Sequence, residues 1–109
     1  MKIGLFVTAD DGFAGHITTL TIDIGVVLFP ADPSDNENAP DYLVFAGDDD
    51  DAREVGAAWK RTGEKAGDYV AVQIDDPMFV QPLRANLFKG DGDGHVLVWS
   101  RPSRHGKAD

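Results

Sequence analysis

Apolar residues recur at every second position along most of this chain, and nowhere do they hold the three-and-four spacing of a helical stripe. Ile3, Leu5 and Val7 alternate with Lys2, Gly4, Phe6 and Thr8, so those three are expected to face inward. This strand stops at Asp10-Asp11-Gly12, where the Asp-Gly step suits a hairpin turn with positive φ. Phe13, Gly15, Ile17 and Thr19 then share a face, and Ile22, Ile24, Val26 and Leu28 carry the pattern to Pro30, leaving Asp23 to solvent. The stretch from Pro30 to Pro40 holds three prolines and no aliphatic residue larger than Ala, which predicts an exposed loop over 30–41, open to proteolysis. A short strand, Tyr42 to Ala46, leads into Gly47 and four aspartates. From Glu54 to Arg61 the chain places Val55, Ala57 and Trp59 on one face. A helix over Asp48 to Ala58 would have an Asp cap, but Gly56 and the following Trp-Lys-Arg favour strand and make Trp59 a core residue. After a turn at Thr62 to Asp68, Val70, Val72 and Ile74 give the clearest alternation of all. Asp76-Pro77 breaks it, Leu83, Ala85 and Leu87 form a further inward set that leaves the side of Phe88 open, and Lys89 to Gly94 turns into His95 to Ser100.

Seven or eight short strands with tight turns predict an all-β domain. It is either an antiparallel sandwich or a small, partly open barrel, because one twisted sheet of that length would leave a face unburied. The barrel is preferred, and an oligonucleotide-binding (OB-like) barrel is one arrangement that fits. At 109 residues, 42% of them hydrophobic, the chain has material for one core: a single domain over 1–100 followed by a flexible tail over 101–109.

The formal net charge of -9 is unevenly placed. Residues 1–52 hold eleven Asp or Glu against Lys2 alone, giving -10; residues 53–109 hold nine Lys or Arg against eight acids, giving +1. Such a field repels phosphates at long range and favours basic partners, so nucleic-acid binding would need a local basic patch. The absence of cysteine excludes disulfides and thiol chemistry. Asp10-Asp11 comes too early for the apolar stretch of a signal peptide, and no apolar run approaches the roughly 18 residues of a membrane-spanning helix. The expectation is a cytoplasmic protein without membrane partners.

Several segments together make the chain resemble a bacterial domain-of-unknown-function family, numbered seven-three-six. They are Lys2-Ile3-Gly4, Gly15-His16-Ile17-Thr18-Thr19-Leu20, Asn38-Ala39-Pro40-Asp41-Tyr42 with Val44-Phe45-Ala46-Gly47, Gly56-Ala57-Ala58-Trp59-Lys60, Asp75-Asp76-Pro77, Ala85-Asn86-Leu87 and Trp99-Ser100-Arg101. The resemblance spans nearly the whole chain. It implies a small cytoplasmic protein of proteobacterial plasmids and integrative elements, and it brings no activity or site residues. Asp48 to Arg53 departs from the family pattern as an expanded loop.

No segment carries a catalytic signature. The run Asp48, Asp49, Asp50 and Asp51 has the charge for a hard cation or for a basic protein surface, but four consecutive loop aspartates diverge, and a solvated acidic loop is the simpler reading. Asp91-Gly92-Asp93-Gly94 opens like a calcium loop yet lacks glycine at the sixth position, Val96, and an acid at the twelfth, Pro102; it reads as a glycine-rich hairpin. His16, His95 and His105 lie on separate elements, and His16 reads as a surface or half-buried residue. Neither Asp10-Asp11 nor Asp75-Asp76 suits acid-base work, because sequence neighbours diverge and both pairs sit at turns. Nothing in the sequence calls for a metal or cofactor.

Two binding readings follow. The first is a non-enzymatic accessory protein of a mobile element, contacting another protein through its acidic surface and the Asp48–Asp51 loop. The second is a single-strand nucleic-acid module whose face comprises Lys60, Arg61, Tyr69, Arg84, Phe88, Trp99 and Arg101, combining cations for phosphates with rings for bases. A small enzyme is a remote third. The oligomeric state is open.

Overall fold

The structure, a computed structural model, describes residues 1–9, 11–32, 35–47, 52–63, 67–77, 81–90, 92 and 94–100. Eight antiparallel strands follow one another around a closed barrel: β1 (Lys2–Ala9), β2 (Gly12–Thr18), β3 (Asp23–Pro30), β4 (Tyr42–Ala46), β5 (Arg53–Gly63), β6 (Gly67–Ile74), β7 (Leu83–Lys89) and β8 (Gly94–Trp99). Each strand pairs with its neighbours in sequence, and β8 returns to β1. The order is therefore a plain meander, unlike the crossed, five-stranded order of an OB-fold. Closure leaves no strand edge unpaired. The described residues contain no helix, so none is long and apolar enough to cross a membrane.

The inward set is the one that period-two alternation selects on most strands: Ile17, Val26 and Leu28, Val44, then Val70, Val72 and Ile74, Ala85 and Leu87, and Leu97. An eight-stranded barrel has an interior just wide enough for side chains to fill, and these residues fill it; Val44 and Ala58 are fully buried. No polar or charged residue is buried among those described.

Two strands break the expected parity. On β1, Lys2 pairs with Val98 and Gly4 with Leu97, so Ile3 is an extra residue with no partner of its own on β8. Such a bulge reverses which side chains face in. Ile3 and then Phe6 are buried, whereas Leu5 and Val7, expected inside, project outward with 59% and 52% of their surface exposed. On β5, Val44 pairs with Gly56 and Phe45 with Glu54, making Val55 the extra residue. Val55 still packs on the core, but beyond it Ala58 turns inward and Trp59 outward, against the expectation that Trp59 is core. Gly56 sits at this bulge because a Cβ there would lie 1.9 Å from the Gln73 carbonyl oxygen.

The loop before β4 is mostly exposed but tied down. Ala31 N–H donates to the Asp41 carbonyl at 3.0 Å, Asp41 N–H to the Ala58 carbonyl at 2.9 Å, and Ala39 N–H to the Asn36 carbonyl at 3.0 Å. Its far end is thereby fixed against β5.

Candidate functional site

Strands β5, β6 and β7 present a distinct outer wall. Their registers align its side chains in three tiers. Arg61 pairs with Tyr69 and Tyr69 with Phe88; Trp59 pairs with Ala71 and Ala71 with Asn86; Ala57 pairs with Gln73 and Gln73 with Arg84. At roughly 3.3 Å per residue, Arg61 and Arg84 stand about 13 Å apart along the strands, with Trp59 between them. No acid occupies these positions. The Tyr69 and Phe88 rings lie 5.5 Å apart at 38°, forming one tilted, half-exposed pair. A shallow concavity of 430 Å³ runs along the wall, lined by Trp59, Arg61, Gln73, Arg84, Asn86, Val98 and Ser100 among others.

The segments Asn38 to Asp41 and Trp59-Lys60, about twenty residues apart in sequence, meet here. The Trp59 indole Nε1–H donates to the Asn38 carbonyl at 3.0 Å, and the Lys60 backbone N–H donates to Asp41 Oδ2 at 2.7 Å. The first bond sets the edge of the indole towards the loop. Asn38 and Asp41 are therefore positioning residues for the tryptophan, and the sequence offered only a turn signal, Asn-Ala-Pro-Asp, to find them.

Lys60 registers inward, on the Ala58 side of β5, and reaches the barrel mouth, where its ammonium sits 5.7 Å from the centroid of the Tyr42 ring. That mouth is a 650 Å³ recess lined by Phe13, Tyr42, Lys60, Arg61, Asp68, Lys89 and His95, with Phe13 edge-on to both Tyr42 and His95. Asp68 accepts a hydrogen bond from the Thr62 hydroxyl at 2.9 Å. Because Arg61 lines both the mouth and the outer concavity, the cationic groups form one strip from the rim onto the wall.

The nucleic-acid face expected from sequence is thus brought together only in part. Arg61, Tyr69, Arg84 and Phe88 share the outer wall, and Trp59 and Asn86 join them. Lys60 belongs to the rim. Trp99 does not belong to the face at all: it registers with inward Ala85 and packs on the core, its backbone bonded at both N–H and C=O to Met1. Arg101 lies outside the described residues, as do the loop aspartates Asp48, Asp49, Asp50 and Asp51 and the turn residues Asp91 and Asp93. His16 is exposed and bonded to Asp23. Among the described residues no three His, Asp or Glu side chains converge as metal ligands.

Of the described lysines and arginines, Arg53, Lys60, Arg61, Arg84 and Lys89 all lie on β5 and β7, and Lys2 alone lies elsewhere. Of the described acids, Asp11, Asp23, Asp32, Asp35, Glu37 and Asp41 belong to the β1–β4 segment of the chain, and Glu54, Asp68, Asp75 and Asp76 to the β5–β8 segment. Comparison with curated proteins and with solved structures yields no match. The family model described as "protein of unknown function (DUF736)" matches residues 2–102, and the chain belongs to that family.

Proposed function

We propose that this protein is a non-enzymatic binding module, an accessory of mobile genetic elements, that holds a single-stranded nucleic acid on its β5–β7 wall. The observation that carries the reading is the acid-free alignment of Arg61, Trp59, Tyr69, Phe88 and Arg84 across three adjacent strands. Rings with an exposed face stack bases at about 1–3 kcal/mol each, without needing a particular sequence, and guanidinium groups neutralise the backbone between them. The global charge of -9 opposes this at long range. At about 0.1 M salt, however, the Debye length is ~10 Å, while the molecule is 32 Å across. Acids on β1–β3, on the far side of the barrel, are therefore screened from a ligand on β5–β7, whereas Asp41 and Asp68, bonded at Lys60 and Thr62, lie beside the wall and are opposed there by Arg61 and Arg84.

Fluorescence anisotropy with a labelled pyrimidine oligonucleotide tests this. The reading predicts a saturable rise that weakens as salt increases and is lost in the double variant Arg61→Ala, Arg84→Ala. A flat titration of the folded wild type near 0.1 M salt would rule it out.

The acid-rich N-terminal half of the sequence favours a second reading, contact with a basic protein partner through the Asp48–Asp51 loop. Replacing those four aspartates by Ser should then remove partners from pull-downs, and unchanged partners would discard the loop as the contact.

A further inference from the structure

The two mouths of the barrel differ in chemistry. On β5, β6, β7 and β8 the inward residues Ala58, Val70, Leu87 and Leu97 are buried. Two residues away from each, towards the mouth that Tyr42 lines, alternation brings Lys60, Asp68, Lys89 and His95 to the same inner side. At the opposite mouth the inward residues of β6, β7 and β8 are Ile74, Leu83 and Trp99, which belong to the core or pack against it. The 650 Å³ recess at the polar mouth is blind: Val70 and Leu87 line it with 8% and 1% of their surface exposed, and side chains fill the barrel beneath them. Among the described residues its lining sets Lys60, Arg61 and Lys89 against one carboxylate, Asp68, whose Oδ1 is taken by the Thr62 hydroxyl. Asp41 stands at the rim outside the lining, held by the Lys60 backbone N–H.

We propose that this mouth takes the phosphorylated end of the single strand that the β5–β7 wall holds, an inference that rests on that reading of the wall. Three features select a strand end as the occupant. First, a blind recess admits the end of a chain and not its middle, because a continuing backbone has no way out past Val70 and Leu87. Second, the charge matches. Three fixed cations against one carboxylate leave an excess of two positive charges in the lining. A terminal phosphate monoester carries about -1.5 to -2 at neutral pH, where an internal phosphate carries a single charge. Two strand spacings, about 10 Å, separate β5 from β7, so the flexible stems of Lys60 and Lys89 can bring both ammonium groups to one phosphate between them. Third, the recess is continuous with the wall. Arg61 lines both, and Tyr69 lines the mouth while its ring pairs with Phe88 on the wall. A strand stacked on Phe88 and Tyr69 therefore reaches the mouth without leaving cationic ground.

Competition of unlabelled strands against the labelled pyrimidine oligonucleotide, read by anisotropy with the full chain, tests this. One pyrimidine sequence is used with a phosphate at its 5′ end, at its 3′ end, or at neither. One of the phosphorylated forms should bind about tenfold tighter than the plain strand, and the preferred end gives the direction in which the strand lies. A plain strand two nucleotides longer carries the same added charge as internal phosphates and should gain less than about twofold. The double variant Lys60→Gln, Lys89→Gln, at two exposed positions, should bring the ratio of phosphorylated to plain affinity close to one, and Lys89→Gln alone should cut it at least about threefold. Arg84→Gln, on the wall, should lower both affinities and keep the ratio. Equal affinity of the three forms overturns the inference and leaves the wall reading standing. So does a gain that the longer plain strand matches, or one that survives in the folded lysine variants. Failure of every form to bind brings down both.

Discussion

Walls β1–β3 and β5–β7 line the same core from opposite sides, each with one strand interrupted by a bulge, yet outside one is apolar with acids at its rims and the other is cationic and aromatic. Inward positions on both are fixed by the barrel, which accepts Leu28 on β3 and Leu87 on β7 almost without exposure. Outward positions are not constrained by the core, so their departure from ordinary polar surface is where binding is to be sought. Reading only inward residues would make the two halves look alike.

The shared interior predicts the largest effects, on both sides. Leu28→Ala and Leu87→Ala should each cost about 2–5 kcal/mol in denaturant unfolding. A loss within about 0.5 kcal/mol on either side would mean that the leucine there is not part of the closed core. Backbone crowding distinguishes individual glycines at the next level, on whichever wall they lie. Gly56→Ala on β5 puts a Cβ against the Gln73 carbonyl and should cost about 1–3 kcal/mol. Gly25→Ala on β3 meets only the Gly15 carbonyl, at 3.9 Å, and should stay within about 0.5 kcal/mol of the wild type. Equal thermal shifts for the two would show that the β5 bulge is not where the registers place it.

Ligand effects should separate the walls more cleanly than stability does. Phe88→Ala should weaken oligonucleotide binding by about 1–3 kcal/mol, and Arg61→Gln should lower the salt slope by about one unit, whereas Val27→Ala should alter neither. Equal losses from β3 and β7 variants would erase the distinction. The smallest effect belongs to the exposed His16–Asp23 pair: Asp23→Asn should change stability by less than about 1 kcal/mol.

What the sequence made legible follows from which strands pair regularly. On β3, β6 and β7 no extra residue interrupts either ladder, and Ile24, Val26, Leu28, Val70, Val72, Ile74, Leu83, Ala85 and Leu87 point where alternation puts them. On β1 and β5 the same rule misplaces Leu5, Val7 and Trp59. A bulge is a property of two strands in register: Gly4 and Gly56, beside the extra residues Ile3 and Val55, are the only marks it leaves on each strand, and a lone strand glycine does not by itself fix where parity changes. Arg61, Tyr69, Arg84 and Phe88 were legible as ingredients of a binding face, but their arrangement in tiers is a product of the meander order. The pinning of Trp59 by Asn38 was hidden for a related reason: both lie in segments that carry the family resemblance, but no local pattern says that they touch.

Nitrogen-edited NMR of the isotope-labelled protein, titrated with a short pyrimidine oligonucleotide, sets the two walls against each other in one measurement. The account predicts dose-dependent amide shifts concentrated at Trp59, Arg61, Tyr69, Gln73, Arg84 and Phe88, with the β1–β3 amides left in place. Shifts centred on Leu5, Ala14 and Val27, or none anywhere at saturating oligonucleotide, would contradict it.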